Sequence, residues 1–136
     1  MALVVLDASV VIGFLDPGDA LHPGCVAALT RHQHDDLAIP ASVYAEILVA
    51  PYRAGSRAVT AVDAFLADLG VTIEPITPAI ARAAARLRSK RAGLRLPDAL
   101  VVATALELGA DALLTGDASW AKVSRRVVVV RATAPR

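Results

Sequence analysis

Short apolar runs that alternate with longer segments of helical composition constrain this chain more than any other feature of its sequence. Continuous runs such as Leu3–Leu6 and Ala112–Thr115 favour strands that are buried on both faces. Between the runs, prolines and glycines mark where helices begin and end. Strands and helices that alternate in this order predict an α/β fold, in which helices cover both faces of a mostly parallel sheet of about five strands.

Each element is predicted from a local signal. Strands are predicted at Leu3–Leu6, Leu37–Ile39, Val71–Ile73, Ala112–Thr115 and Val127–Val130. Helices are predicted from near Ala8, from His22 to about His34, over Val43–Val49 with Ser42 as the N-cap, and over Arg57–Leu69, Pro78 to about Arg91, and Pro97–Leu108. Gly70 is placed like the glycine that follows a helix C-terminus.

The length of 136 residues suits one domain with a core that needs no disulfide or structural metal. We expect residues 1–131 to form this domain and residues 132–136 to be a frayed tail. Apolar residues make up 56% of the chain, which favours a surface covered by a second copy or another partner. Asp7 interrupts the apolar N-terminus and Cys25 is the only cysteine, so we expect a cytoplasmic protein with no membrane segment.

Four acidic residues stand out because each interrupts, begins or ends a strongly apolar stretch: Asp7, Glu46, Asp98 and Asp117. Carboxylates are rarely buried without a partner, so this placement favours a site that uses negative charge. Asp7 and Asp117 follow predicted strands, and α/β proteins bind ligands beyond the carboxyl ends of parallel strands. Glu46 is the only charged residue of its predicted helix, and we expect its side chain to point into the protein.

Each acid also has a purely structural explanation. Asp7 can cap a helix, Asp98 lies in a first helical turn where the dipole favours a carboxylate, and Asp117 can be a turn residue. Taken together, however, oxygen donors without zinc-type cysteines or a phosphate-binding glycine loop favour Mg²⁺ or Mn²⁺. Ser9 and Thr115 can orient the ligands or waters by hydrogen bonds, or can bond only to local backbone.

The order of these motifs resembles that of PIN-domain ribonucleases. The matching segments are Val5–Ser9, Glu46 in a helix that follows Ile39-Pro40, Leu96–Leu100 with the Ala-Thr-Ala helix after it, and Leu113–Asp117. Single motifs of this kind are weak, but their ordered combination is fairly specific and covers nearly the whole chain. More narrowly, the chain is similar to the VapC-type toxins of prokaryotic toxin–antitoxin pairs.

The resemblance implies a PIN-like three-layer α/β/α sandwich with Asp7, Glu46, Asp98 and Asp117 around one or two Mg²⁺ or Mn²⁺ ions. It also implies a metal-dependent endoribonuclease that hydrolyses RNA through an activated water, with these acids as catalytic residues and metal ligands. A homodimer and a cognate antitoxin protein are the expected partners. In the family, the antitoxin can send a basic side chain into the acidic site, which charge complementarity favours.

The RNA substrate needs basic residues, because carboxylates repel phosphate until a metal is bound. The net charge of +1 excludes RNA binding by bulk attraction alone. The candidates belong to a basic stretch that can equally be a solvated helix face: Arg82, Arg86, Arg88 and Arg95. A transfer RNA anticodon arm, a ribosomal loop and a messenger RNA all stay open as substrates.

There are two alternatives to a metal-dependent ribonuclease, one a different enzyme and the other a protein without catalytic activity. A haloacid-dehalogenase-type phosphotransferase also has an aspartate after its first strand, but Ser9 stands where that chemistry needs a second acid. A non-catalytic PIN-like module could bind RNA or a protein through the same surface, although such a module gains nothing from repulsion among carboxylates. Metal binding and RNA cleavage discriminate between the enzyme and the binding module.

Overall fold

The computed structural model describes residues 1–132, in which strands alternate with helices. The strands are β1 (Leu3–Leu6), β2 (Asp36–Pro40), β3 (Thr72–Glu74), β4 (Ala112–Thr115) and β5 (Val127–Val129). The α-helices are α1 (Ala8–Leu15), α2 (His22–Arg31), α3 (Ala41–Ala54), α4 (Ser56–Asp68), α5 (Pro78–Lys90) and α6 (Leu96–Glu107). A 3₁₀ helix, Ala118–Lys122, follows β4 and was not anticipated from the sequence.

The strands form one five-stranded sheet in the order β3-β2-β1-β4-β5, and every adjacent pair is parallel. The chain moves from β1 to β3 in one direction and then returns past β1 to reach β4. Right-handed connections therefore place α1 to α4 on one face of the sheet and α5 and α6 on the other. The predicted α/β/α sandwich is confirmed, with a sheet that is wholly parallel within residues 1–132.

The central strand β1 is buried on both of its faces. Val4 and Val5 are fully buried, and Val5 is in register with Ala38 of β2 and Leu113 of β4. The continuous apolar runs of β1 and β4 reflect this position, because a central parallel strand contacts helices above and below. The strand order reverses at β1 and β4, so their carboxyl ends form the crevice where α/β proteins bind ligands.

Two glycines follow the ends of helices, as the sequence predicts. Gly70 has φ 66°, and the amides of Gly70 and Val71 donate to the carbonyls of Ala67 and Leu66 at 3.0 and 2.9 Å. Gly109 also has a positive φ, 64°, directly after α6. This left-handed backbone is open to glycine at no steric cost, which explains why the helices end at these positions.

Two helices differ from the sequence-based expectation by more than one residue at an end. One of them, α3, continues to Ala54, five residues beyond the predicted end at Val49. α2 ends at Arg31 and not near His34, because the Asp35 amide bonds back to the His32 carbonyl at 2.9 Å and closes a turn. Ser42 does not cap α3, because the helix already begins at Ala41 after an extended Pro40 with ψ 150°. Within residues 1–132, the Ser42 hydroxyl is buried without a hydrogen-bond partner.

The C-terminal tail expected to fray, residues 132–136, lies outside the described residues from residue 133 onwards. The single-domain expectation for residues 1–131 stays a prediction. No helix in the described part of the chain is both long and apolar enough to cross a membrane. Cys25 is a free thiol that lies buried in the core.

Candidate active site

An open pocket of about 440 Å³ lies at the carboxyl ends of β1 and β4. Four carboxylates and one guanidinium line this pocket: Asp7, Glu46, Asp98, Asp117 and Arg95. The acids come from the β1–α1 junction, from α3, from the first turn of α6 and from the residue before the 3₁₀ helix. The fold therefore brings together all four acids that the sequence singled out, although they are far apart in the chain.

Both carboxylate oxygens of Asp7 accept hydrogen bonds. Oδ1 accepts from the Ala8 amide at 2.8 Å and so caps α1, while Oδ2 accepts from Ser9 Oγ at 2.9 Å and from Thr115 Oγ1 at 2.8 Å. The capping and functional explanations are therefore compatible, because the cap fixes the carboxylate that lines the pocket. A carboxylate has about four lone-pair positions, so these hydrogen bonds leave it able to bind a cation.

Ser9 and Thr115 connect the ends of β1 and β4. Thr115 is fully buried, and its Oγ1 also accepts from the Asp117 amide at 3.1 Å. Ser9 Oγ accepts from the Gly116 amide at 3.0 Å. A Cβ atom on Gly116 would lie 2.5 Å from Leu21 Cδ1 and 3.3 Å from Ser9 Oγ, so these side chains would have to shift to admit a larger residue here.

Asp117 is exposed and caps the 3₁₀ helix. Its Oδ1 accepts from the Ser119 amide at 2.9 Å and from Ser119 Oγ at 2.6 Å. The turn role that the sequence offered as the structural explanation is therefore present. The same residue also lines the carboxylate pocket, so the structural role does not exclude a functional one.

Glu46 and Asp98 both have raised pKa values. Desolvation by the neighbouring groups of the pocket raises the pKa of Glu46 although the residue as a whole is exposed, and the charges of Asp7 and Asp98 raise it further, against an opposing effect of Arg95. Burial is also the largest cause at Asp98, where Arg95 lowers the pKa and Asp7 and Asp117 raise it. The carboxylates thus perturb one another, which places an excess of negative charge in one pocket.

The expectation that Glu46 points into the protein is wrong. Glu46 is exposed on α3 and lines the open pocket, whereas Ile47 and Leu48 beside it are buried. The apolar composition of α3 was misleading, because apolar side chains also lie on its outer surface. Val49 and Tyr52 of the same helix are 50% and 70% exposed.

Arg95 precedes α6 as its N-cap residue and is the only cationic residue on the pocket wall among residues 1–132. The other three arginines proposed from the sequence do not line this pocket. Arg86 lies in a separate groove with residues of α5 and α6, and Arg82 and Arg88 are exposed on α5. Sequence spacing could not show that Arg95 alone lines the pocket, because the path of the α5–α6 turn determines which cavity each arginine lines.

The donor set of the pocket fits a hard divalent cation. Carboxylate and hydroxyl oxygens are the ligands that Mg²⁺ and Mn²⁺ prefer, and one arginine does not balance four carboxylates. Within the described residues, however, no group of three or more His, Cys, Asp or Glu side chains is close enough to hold a metal as placed. Metal binding therefore requires side-chain rotation, which an exposed residue such as Glu46 can undergo rapidly.

Some residues of the pocket were not singled out from the sequence. Ile12 and Leu21 supply an apolar wall, and Gly116 leaves room beside it for the side chains of Leu21 and Ser9. Helical spacing was an available signal for Ile12, since it lies four residues after Ala8 in α1 and therefore shares its face. No local pattern marks Leu21, which reaches the pocket from the loop before α2.

The protein is a three-layer α/β sandwich with a parallel sheet. Its four acidic residues converge where the strand order of the sheet reverses, and these two features define its class. The model of the PIN domain family matches residues 4–126 of the chain. The chain therefore belongs to the PIN domain family, which confirms the resemblance found in its motifs. Among proteins of curated function, no match to the chain is found.

Solved structures similar to this chain include a toxin and a toxin–antitoxin complex. A toxin–antitoxin complex from Klebsiella pneumoniae is 25% identical with a TM-score of 0.71, over 93% of this chain and 96% of that chain. VapC20 from Mycobacterium tuberculosis, a sarcin-ricin loop cleaving toxin, is 20% identical with a TM-score of 0.72, over 89% and 95%. VapBC2 from Rickettsia felis, bound to a promoter DNA fragment, is 15% identical with a TM-score of 0.74, over 95% and 98%. The fold is thus shared along nearly the full length of these chains.

Proposed function

We propose that this protein is a metal-dependent endoribonuclease and the toxin component of a toxin–antitoxin pair. The observation that carries the proposal is the convergence of Asp7, Glu46, Asp98 and Asp117 in one open pocket. Clustered carboxylates repel one another unless a cation joins them, so this arrangement is costly in a protein that binds no metal. Membership of the PIN domain family and the similarity to chains of toxin–antitoxin complexes support the same function.

The proposed cofactor is Mg²⁺ or Mn²⁺, held by Asp7, Glu46, Asp98 and Asp117. Such an ion, when bound, lowers the pKa of a water and neutralises charge on the scissile phosphate. Asp7 accepts more side-chain hydrogen bonds than the other three proposed ligands, because Ser9 and Thr115 donate to its Oδ2 and the Ala8 amide donates to its Oδ1. These hydrogen bonds pre-organise the ligand before the metal arrives.

We assign Arg95 to the phosphate of the substrate. Its guanidinium is the cation on the described pocket wall, so it offsets the repulsion between an incoming phosphate and the four carboxylates. The planar donor fork of arginine also matches two phosphate oxygens, which fixes the orientation of the phosphate as well as attracting it. Before RNA binds, the same charge lowers the pKa values of Glu46 and Asp98.

The proposed partners are an RNA substrate, a cognate antitoxin and a second copy of the chain. Exposed apolar side chains such as Val49, Tyr52 and Leu96 are available for protein contacts. Among the RNA classes left open, an RNA loop is favoured by the similarity to VapC20, a sarcin-ricin loop cleaving toxin. The free thiol of Cys25 fits a reducing compartment, so we propose a cytoplasmic location.

Cleavage of total prokaryotic RNA by the purified, antitoxin-free protein tests this function. We expect discrete fragments with Mg²⁺ or Mn²⁺, none with EDTA, and none for Asp98→Asn. The matched control is Asp68→Asn, which removes an exposed carboxylate from the last residue of α4. Cleavage by the control together with loss in Asp98→Asn would locate the activity in the pocket.

A thermal shift separates the enzyme from a non-catalytic binding module. Millimolar Mn²⁺ should raise the melting temperature of the parent protein, because a ligand that binds only the folded state stabilises it by mass action. The rise should be smaller in Asp98→Asn and unchanged in Asp68→Asn. Folded protein that shows neither cleavage nor a metal-dependent shift would favour a PIN-like module that binds RNA or a protein without cutting it.

A further inference from the structure

A second cleft lies beside the carboxylate pocket and carries the opposite charge. Its volume is about 350 Å³, within the range of about 300–1,000 Å³ typical of small-molecule sites. Among residues 1–132, its charged lining consists of two cations and no carboxylate. The residues that matter are Arg91, Leu94, Ser119, Trp120, Lys122 and Val123, which we call the basic cleft.

The basic cleft and the carboxylate pocket share a wall. Trp120 of the 3₁₀ helix lines both cavities, and Ser119 of the basic cleft donates a 2.6 Å hydrogen bond to Asp117 of the pocket. The α5–α6 connection spans the same boundary, because Arg91 follows α5 at the cleft and Arg95 precedes α6 in the pocket. A polymer that lies across this wall therefore contacts cations on one side and carboxylates on the other.

The chemistry of the basic cleft matches one nucleotide of an RNA chain. Arg91 and Lys122 are exposed, so they can contact a phosphate without a large desolvation cost. Leu94 and Trp120 are 6% and 2% exposed and form an apolar floor against which a ribose or base can pack. An acidic peptide would match the two cations equally well, but a run of acidic side chains offers no ring to pack on the apolar floor of the cleft.

We propose that the basic cleft binds the nucleotide adjacent to the scissile phosphate of a single-stranded RNA. The inference rests on the proposed nuclease function and deepens it, because it names where the substrate is held outside the metal site. Affinity for phosphate then comes from a surface that does not depend on the metal. A base that is paired in a duplex cannot enter the cleft, so the substrate at this point is a loop or another unpaired segment.

Fluorescence anisotropy of a labelled single-stranded RNA, measured in EDTA, tests binding without cleavage. The cleft variant, Arg91→Ala/Lys122→Ala, removes both cations of the basic cleft. The control variant, Arg57→Ala/Lys90→Ala, removes one arginine and one lysine from exposed positions on α4 and α5, outside the basic cleft. Because net charge changes equally in both, a difference between them reports the location of the charges and not their number.

We expect the cleft variant to bind RNA about tenfold more weakly than the control variant. The slope of log affinity against log salt concentration should be smaller in magnitude by about 1.4 in the cleft variant than in the parent, since each phosphate contact of a single strand contributes about 0.7. Arg91→Lys/Lys122→Arg keeps both charges and should bind as the parent does. If the double alanine variant does not fold, each single alanine variant should lower the slope by about half as much.

Equal binding by the cleft and control variants would overturn the proposal, as would absence of RNA binding by the parent protein in EDTA. Full competition by an acidic peptide of equal charge would overturn it too, because it would show that the cations select charge alone. Cleavage that persists with normal RNA affinity in the cleft variant would leave the nuclease function in place without the cleft. Cleft-dependent binding without metal-dependent cleavage would leave the cleft in place without the nuclease function.

Discussion

Thr115 Oγ1 donates a 2.8 Å hydrogen bond to Asp7 Oδ2, although the two residues lie 108 positions apart in the chain. The same hydroxyl oxygen accepts from the Asp117 amide at 3.1 Å, and the Thr115 side chain is fully buried. One hydroxyl therefore positions two of the four acids of the pocket and joins the end of β4 to the end of β1. This contact makes Thr115 a positioning residue for the site.

Thr115→Val should reduce stability and cleavage together. Valine keeps the shape but leaves Oδ2 of Asp7 and the amide of Asp117 without this partner, at a cost of about 1–3 kcal/mol in the free energy of unfolding. Thr115→Ser keeps the hydroxyl and should restore most of the activity. Urea unfolding and RNA cleavage, measured on all three proteins, check the prediction. An active Thr115→Val protein would show that Ser9 alone is enough to orient Asp7.

Asp7→Asn and Asp98→Asn should differ in stability although both abolish cleavage. Either change removes one of four clustered negative charges, and this relief of repulsion alone would leave the fold intact or stabilise it. The hydrogen bonds change this for Asp7, because the single amide oxygen of asparagine cannot accept both from the Ala8 amide and from the Ser9 and Thr115 hydroxyls. We expect Asp7→Asn to lose about 1–2 kcal/mol in EDTA, and Asp98→Asn to be at least as stable as the parent. Equal stability of the two variants would contradict this account.

The four acids could be found from the sequence because charge is conspicuous within apolar runs. Asp7 and Asp117 follow strands of the sheet, and the rule for parallel sheets places strand ends together whatever the sequence distance between them. Gly70 and Gly109 likewise end their helices through a left-handed backbone conformation, and the presence of glycine at these positions is enough to predict it. Features fixed by one strong local preference were therefore predictable.

Features fixed by tertiary context were not predictable. Glu46 could be assigned to its helix, but the face that it occupies depends on where α3 packs. Serine is a favoured N-cap residue, yet Pro40 takes the N-cap position at α3 and the helix begins two residues earlier than predicted. Arg91 and Lys122 lie 31 residues apart by their numbers and meet only because the 3₁₀ helix lies beside the α5–α6 turn.

Lowering the pH should stabilise the metal-free protein between neutrality and about pH 4.5. The pKa values of Glu46 and Asp98 are raised in the folded state, so above those values the folded protein carries a cost of ionisation that the unfolded chain lacks. As the pH falls, the two carboxylates take up protons in the folded state before they do so in the unfolded chain, which stabilises the fold. This gain in stability ends near the ordinary pKa values of 4.5 for Glu46 and 3.8 for Asp98. Asp35 acts in the opposite direction, because its pKa is lowered and its stabilising effect is lost only below 3.8.

Urea unfolding in EDTA across this pH range measures the effect against Glu46→Gln/Asp98→Asn. Groups elsewhere titrate alike in both proteins, so the difference in unfolding free energy isolates the two carboxyls. The advantage of the variant should be largest at neutral pH and should shrink as the pH falls. A difference that does not change with pH would mean that the two carboxylates are fully solvated in the free protein.

Arg95→Ala should destabilise the metal-free protein only while the carboxylates are present. The Arg95 charge lowers the pKa values of Glu46 and Asp98, so its removal leaves their ionised forms without a nearby cation. Because the arginine is exposed, we expect a loss of about 0.2–1 kcal/mol at neutral pH. The matched control is Arg82→Ala, which removes an exposed arginine outside the pocket.

In the Glu46→Gln/Asp98→Asn background the loss of stability caused by Arg95→Ala should vanish, since the double-mutant cycle removes the partners of the interaction. An equal loss in both backgrounds would instead show that Arg95 acts through the start of α6 and not through the charge of the pocket.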